Sequence, residues 1–231
     1  MAEPASVAPA HAERRANFRS GLRAGAGFAM PTFVLAVSFG VLARSLDWGV
    51  VAPIAASTVV FSGSAQFALA DVLGAGGSAL AAIVAAVLVN ARFAVMGVAI
   101  ASTLEGGRLR RAFEAQATVD ASWALANRGG GRFDRDILIG ATLPQYAAWV
   151  GGTIVGVAAG DSIDPEALGL DVLFPAFFLG LLIEELRSGR QHIAAAGIAG
   201  ALALVLIPFT PPGVPIIAAC VGALIGLRRA R

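Results

Sequence analysis

Val60-Phe61-Ser62-Gly63-Ser64-Ala65-Gln66-Phe67 lies in the middle of an otherwise apolar run from about Val50 to Val72. The run is long enough for a bilayer-crossing helix, which needs about 20 residues. Hydroxyls and an amide at that depth have no bulk water, so they bond internally or face a wet cavity. The stretch therefore puts the chain in the helical membrane class and marks one polar place within it.

The flanking sequence agrees. Of 231 residues, 57% are hydrophobic and 14% charged, with a mean hydropathy of +0.77. Soluble domains carry about a quarter charged residues. An outer-membrane barrel would show short alternating segments, whereas these apolar runs are unbroken and rich in Ala, Leu and Gly. The expectation is an all-α polytopic membrane protein of about seven or eight spans. Residues 1–23, polar and without an apolar core, read as a disordered cytoplasmic tail and not as a cleavable signal. Residues 24–231 read as one transmembrane transport domain.

Several function classes drop out. All 17 basic residues are Arg, and the net charge of +2 is too small to imply nucleic acid. Cys220 is the single cysteine, which allows no intrachain disulfide and no zinc site. His11 and His192 lie far apart, so no metal or other cofactor is expected. No Gly-x-x-x-x-Gly-Lys loop is present for ATP hydrolysis. An intramembrane serine protease at Gly63-Ser64 would need a histidine base, and neither histidine is placed for one. The chain is not expected to be an enzyme.

Further spans are expected at about 25–43, 79–101, 137–159, 170–186, 191–208 and 213–228, with a short, weaker helix at 113–127. Arg placement orients them. Arg14, Arg15, Arg19 and Arg23 put the N-terminus in the cytoplasm; Arg228, Arg229 and Arg231 put the C-terminus there too. Arg108–Arg111 conflict with this pattern if Val50–Val72 crosses fully, and agree with it if that segment is re-entrant. Eight crossings, or six with a re-entrant hairpin, both fit; the segment's length of about 23 residues favours eight. Pro31 and Pro144 each open a span that ends before an acidic joint, a loose sign of an inverted repeat.

Four groups of residues carry candidate chemistry. Ser62, Gly63, Ser64 and Gln66 suit an unwound helix whose freed backbone groups bind a zwitterion; close helix packing is the alternative. Asn90 and Arg92 come second. A guanidinium near mid-membrane costs at least about 2.5 kcal/mol on insertion scales, so it needs a partner, a cavity or a way to snorkel out. Asp120 is third, as counter-ion to Arg92, as proton carrier, or as part of a solvated face. Gln145 is fourth, facing a polar lumen, with Tyr146 and Trp149 beside it as interface-belt aromatics. Phe61 and Phe67 would meet an aliphatic tail.

These residues, in this order, resemble the AzlC family, the large subunits of branched-chain amino acid exporters. Phe18-Arg19-Ser20-Gly21-Leu22-Arg23-Ala24-Gly25 is similar to the family's opening pattern. Val60–Phe67 is similar to its signature Val-Phe-Ala-Gly-Ser-Ala-Gln-Phe. Asn90-Ala91-Arg92-Phe93 matches Asn-x-Arg-His except for Phe93. Val119-Asp120-Ala121 matches Thr-Asp-Glu only at the Asp, and Asp171, Phe174 and Phe178 match a later element. The resemblance implies ion-driven efflux of Val, Leu or Ile, with Met a further candidate, from a bacterial cytoplasmic membrane. It also implies a hetero-oligomer with a small AzlD-like membrane protein. Phe93 and Ala121, where the family has His and Glu, remove two groups that could carry protons. A channel or transporter for another small solute, and a non-transporting membrane scaffold, are the other classes the residues allow.

Overall fold

The computed structural model describes residues 7–160 and 189–211, with scattered positions at 162, 176, 179–180, 182–183, 186–187, 214–215 and 217–219. Its frame is a pair of long helices, α1 (Val7–Ser45) and, later in the chain, α7 (Arg135–Ala159). Glycines let their backbones touch. A Cβ at Gly25 would collide with the Ala141 carbonyl oxygen, and one at Gly156 with that of Val37. Contact levels rise together, from Gly21 against Ile137 to Gly40 against Thr153, so the two helices run parallel. Their starts define a near end and their finishes a far end. Small residues are the means by which membrane helices approach this closely.

Residues 7–23 belong to α1, which corrects the reading of that stretch as disordered. Arg14 shows why the helix is held there. Its guanidinium pairs with Asp136 at the start of α7, at 3.0 Å, and with Glu105, at 3.1 Å.

The Val50–Val72 segment is not one helix. It divides into α2 (Val51–Val59) and α3 (Gly63–Gly74). Phe61 takes a left-handed φ of +44° and Ser62 is extended, which ends one helix and starts another. Contacts with the frame give the direction. The Ser57 hydroxyl meets that of Thr153, towards the far end, at 2.7 Å. Phe61 then packs on Tyr146, and Gly63 faces Trp149, deeper along α7. Gly74 comes back to Leu46, just past the end of α1. The segment enters from the far end, turns at Val60–Ser62 and returns. The expected single crossing is therefore corrected to a re-entrant hairpin, because two half-length apolar helices have the hydropathy of one full span.

From the far end α4 (Ala79–Ile100) crosses to the near end. The Ser78 hydroxyl caps its start, accepting from the Ala81 N–H. By length and apolarity α1 and α4 qualify as membrane spans. The chain next dips inward a second time. Helix α5 (Arg108–Ala115) sits at the near end, where Arg135 holds Glu114 and Arg111 donates to the Ala101 carbonyl. The link 116–119 lies deeper, with the Thr142 hydroxyl donating to the Ala117 carbonyl at 2.7 Å. Helix α6 (Asp120–Ala126) leads back, and Asp134 N–H bonds the Ala126 carbonyl at 2.9 Å. The short helix expected over 113–127 is thus two helices with a break between them.

Arg108–Arg111 therefore share the near end with Arg14, and the hairpin removes the conflict in the Arg pattern. Helix α8 (Arg190–Leu206) matches the expected 191–208 span. The expected spans at 170–186 and 213–228 fall largely outside the described residues, as do Asp171, Phe174 and Phe178. Among the described residues the architecture is all-α, with one isolated bridge between Asn127 and Phe133.

Candidate functional site

The core under the first hairpin is aromatic. Phe39 stacks on Trp149 with ring centroids 6.3 Å apart and meets Phe67 edge-on at 5.7 Å. Trp149 is only 4% exposed. Its indole N–H donates to Gln66 Oε1 at 2.9 Å, and Gln66 Nε2 donates to Ser57 Oγ at 2.9 Å. Every polar group in this chain of bonds is satisfied, as buried groups must be. Trp149 is therefore a core residue and not a belt aromatic. Gln66, placed by sequence among the solute-binding residues, instead ties the hairpin to α7.

On the other side of the turn the candidate residues converge. Ser62 Oγ donates to Asn90 Oδ1 at 2.6 Å, which fixes the turn against α4. Arg92, farther along α4, donates from Nη2 to Ser64 Oγ at 3.0 Å and pairs with Asp120 Oδ2 at 2.9 Å. The guanidinium also lies over the Phe93 ring, 5.0 Å from its centroid, a favourable cation–π position. Its Nε is buried without a hydrogen-bond partner. The first helical bond of α3 runs from Gln66 N–H to the Ser62 carbonyl. The N–H groups of Gly63, Ser64 and Ala65 therefore precede the helical ladder, at the positive end of the helix dipole.

Between these groups is a cavity of about 500 Å³. Phe61, Ser62, Gly63, Ser64, Arg92, Asp120 and Gln145 all line it. Asn90 does not; it acts through Ser62. Gln145 keeps its amide N–H on the Ala141 carbonyl at 2.8 Å. Sequence reasoning missed the α1 wall, formed by Phe28, Pro31, Thr32 and Leu35, and Val119, Ala124 and Leu125 at the second break. Pro31 was the available signal, since a proline inside a helix removes a backbone donor and interrupts the regular span. Phe93 and Ala121, the two departures from the family pattern, both line the cavity. It is mostly apolar, with one guanidinium, one carboxylate, hydroxyls and a helix start on its surface. Ordinary small-molecule sites have this size and composition.

At the near end, outside the membrane-spanning helices, Glu114 is 9% exposed. The Arg135 guanidinium bonded to it holds its carboxyl well below the usual range, down to about 2. The same contact raises Arg135.

A cavity between the tips of two inward dips, one from each end of a helical frame, fits a polytopic helical membrane protein. The family model described as AzlC protein matches residues 27–163, and the chain belongs to the AzlC family. It is 34% identical over 216 residues to an uncharacterized membrane protein of Archaeoglobus fulgidus, covering 92% of this chain and 95% of that one. It is 25% identical to the branched-chain amino acid transport protein AzlC of Bacillus subtilis, covering 95% and 90%. Identity to the inner membrane protein YgaZ of Escherichia coli is 24%, covering 95% of both chains. No solved structure matches the chain.

Proposed function

We propose that the chain is the large subunit of a secondary transporter that exports the branched-chain amino acids Val, Leu and Ile, with Met a further candidate, across the cytoplasmic membrane. The observation that carries this reading is the Arg92–Asp120 pair on the wall of a mostly apolar cavity of about 500 Å³. An α-amino acid presents the same two charges with reversed partners. Its carboxylate would take the Arg92 guanidinium and the N–H groups at the start of α3. Its ammonium would take Asp120. The aliphatic tail would lie against Phe28, Leu35, Phe61 and Phe93.

Solute and ion pair then compete for the same charges, so binding loosens the tie between α4 and the second dip. Protonation of Asp120 would do the same. This gives a way to couple a proton to the movement of those elements. The near end, with Arg14, Arg111, Arg128, Arg132 and Arg135, is the cytoplasmic side by the positive-inside rule. A small AzlD-like membrane protein is the expected partner. The similarity to the branched-chain amino acid transport protein of Bacillus subtilis supports amino acid transport over a scaffold role. A scaffold also has no use for a guanidinium on a cavity wall.

The test is counter-flow of labelled leucine in proteoliposomes, with and without the small partner, alongside leucine binding to the purified chain. Saturable counter-flow, with binding lost in Arg92→Ala, is expected. Undiminished binding in that variant would remove Arg92 from the mechanism.

A further inference from the structure

A second cavity, of about 480 Å³, opens beside the first. Its walls are apolar, formed by Phe61, Phe113, Ile139, Leu143 and Tyr146. At its rim the Arg110 guanidinium bonds Glu114 at 2.9 Å, a carboxylate that Arg135 and the Glu105 N–H also hold. Each cavity therefore offers one oily wall and one guanidinium, which suit the tail and the carboxylate of an aliphatic amino acid.

One ring is common to both linings, that of Phe61. Its backbone is the hairpin's strained position, with φ +44°. For a bulky side chain that conformation is unfavourable and persists only where neighbours enforce it. Here the enforcement is visible. Tyr146 packs edge-on against the ring at 5.0 Å and donates its hydroxyl to the Thr58 carbonyl at 2.9 Å. Gln116, from the second break, donates to the Val59 carbonyl at 2.8 Å. Release of these two bonds frees the turn, and the ring with it.

We propose that the second cavity is a near-side station for the same aliphatic amino acid, joined to the first when the Phe61 ring swings away from Tyr146. The proposal rests on the amino acid reading given above. It adds a route: solute enters from the near end past Arg110, waits against Phe113 and Ile139, and passes Phe61 to reach Arg92.

The test fills the station after folding. Full-length protein carrying Cys220→Ser and Ile139→Cys is reconstituted, and leucine binding and counter-flow are measured before and after reaction with a bulky maleimide. Leu143→Cys serves as a second position should the first substitution impair assembly. Modification is expected to cut counter-flow by about tenfold or more while binding changes by less than about threefold, the ring shielding the first cavity. Unchanged counter-flow at full labelling would overturn the station. So would an equal loss of binding, because the two cavities would then be one site. If the unmodified protein neither binds nor exchanges leucine, the amino acid reading itself has failed.

Discussion

Gln116 and Val59 join the tips of the two inward dips: the Gln116 side-chain amide donates to the Val59 carbonyl at 2.8 Å, 57 residues away along the chain. Val59 ends α2, so its carbonyl lacks a helical partner. Gln116 supplies one from the opposite direction. The bond is exposed, so its net worth is small, about 1 kcal/mol. Its consequence is alignment, because it registers the two breaks against each other.

Gln116→Leu is accordingly expected to lower thermal stability in detergent by no more than about 1 kcal/mol. Leucine counter-flow should fall by much more than that loss would explain. Wild-type counter-flow in this variant would show that the tip-to-tip bond has no part in transport.

The glycines of the α1–α7 contact are expected to be intolerant of a single methyl. Gly25→Ala drives a Cβ into the Ala141 backbone, and backbone cannot step aside as a flexible side chain can. A loss of about 3 kcal/mol or more is expected, at the top of the usual overpacking range. Gly27→Ala, two residues on, meets nothing within 4 Å. It should be neutral, or stabilising by up to about 1 kcal/mol through helix propensity. Parallel unfolding curves of the two variants make the comparison.

Gln66→Leu separates support from binding. It leaves the buried Trp149 indole N–H without its acceptor, while the Ser57 hydroxyl keeps Thr153. A buried donor left unpaired costs about 1–3 kcal/mol. A clear drop in unfolding temperature is expected, with leucine affinity of the folded fraction close to wild type. A loss of affinity without a loss of stability would return Gln66 to the solute site.

Acid should find the Glu114–Arg135 contact. The carboxyl titrates at about 2 in the folded protein against an ordinary 4.5. Its folded value is depressed, so the stabilisation is fully present above about pH 4.5 and is lost as pH falls towards 2. Glu114→Gln should therefore be less stable than wild type at pH 7, and the gap should close on acidification. A pH-independent gap between the two unfolding midpoints would refute the assignment.

The sequence by itself determined the class, the approximate helices and the chemistry. Long unbroken apolar runs in a chain with so few charges read as membrane helices, and Ser62–Ser64, Arg92 and Asp120 are too polar for hydrocarbon without one another or a solute. It also located α4 almost to the residue, since a continuous apolar run with a Ser cap reads the same in any context. Tertiary structure decided direction and partnership. Hydropathy is a sum along the chain, and that sum is equal for one span and for two half-helices that turn back at Phe61. Only contacts with α7 and Leu46 tell them apart. In the same way Gln66 and Ser64, two residues apart, lie on opposite sides of a helix start. Which one meets Trp149 and which meets Arg92 depends on the packing of α3 between its neighbours, and composition carries no record of that.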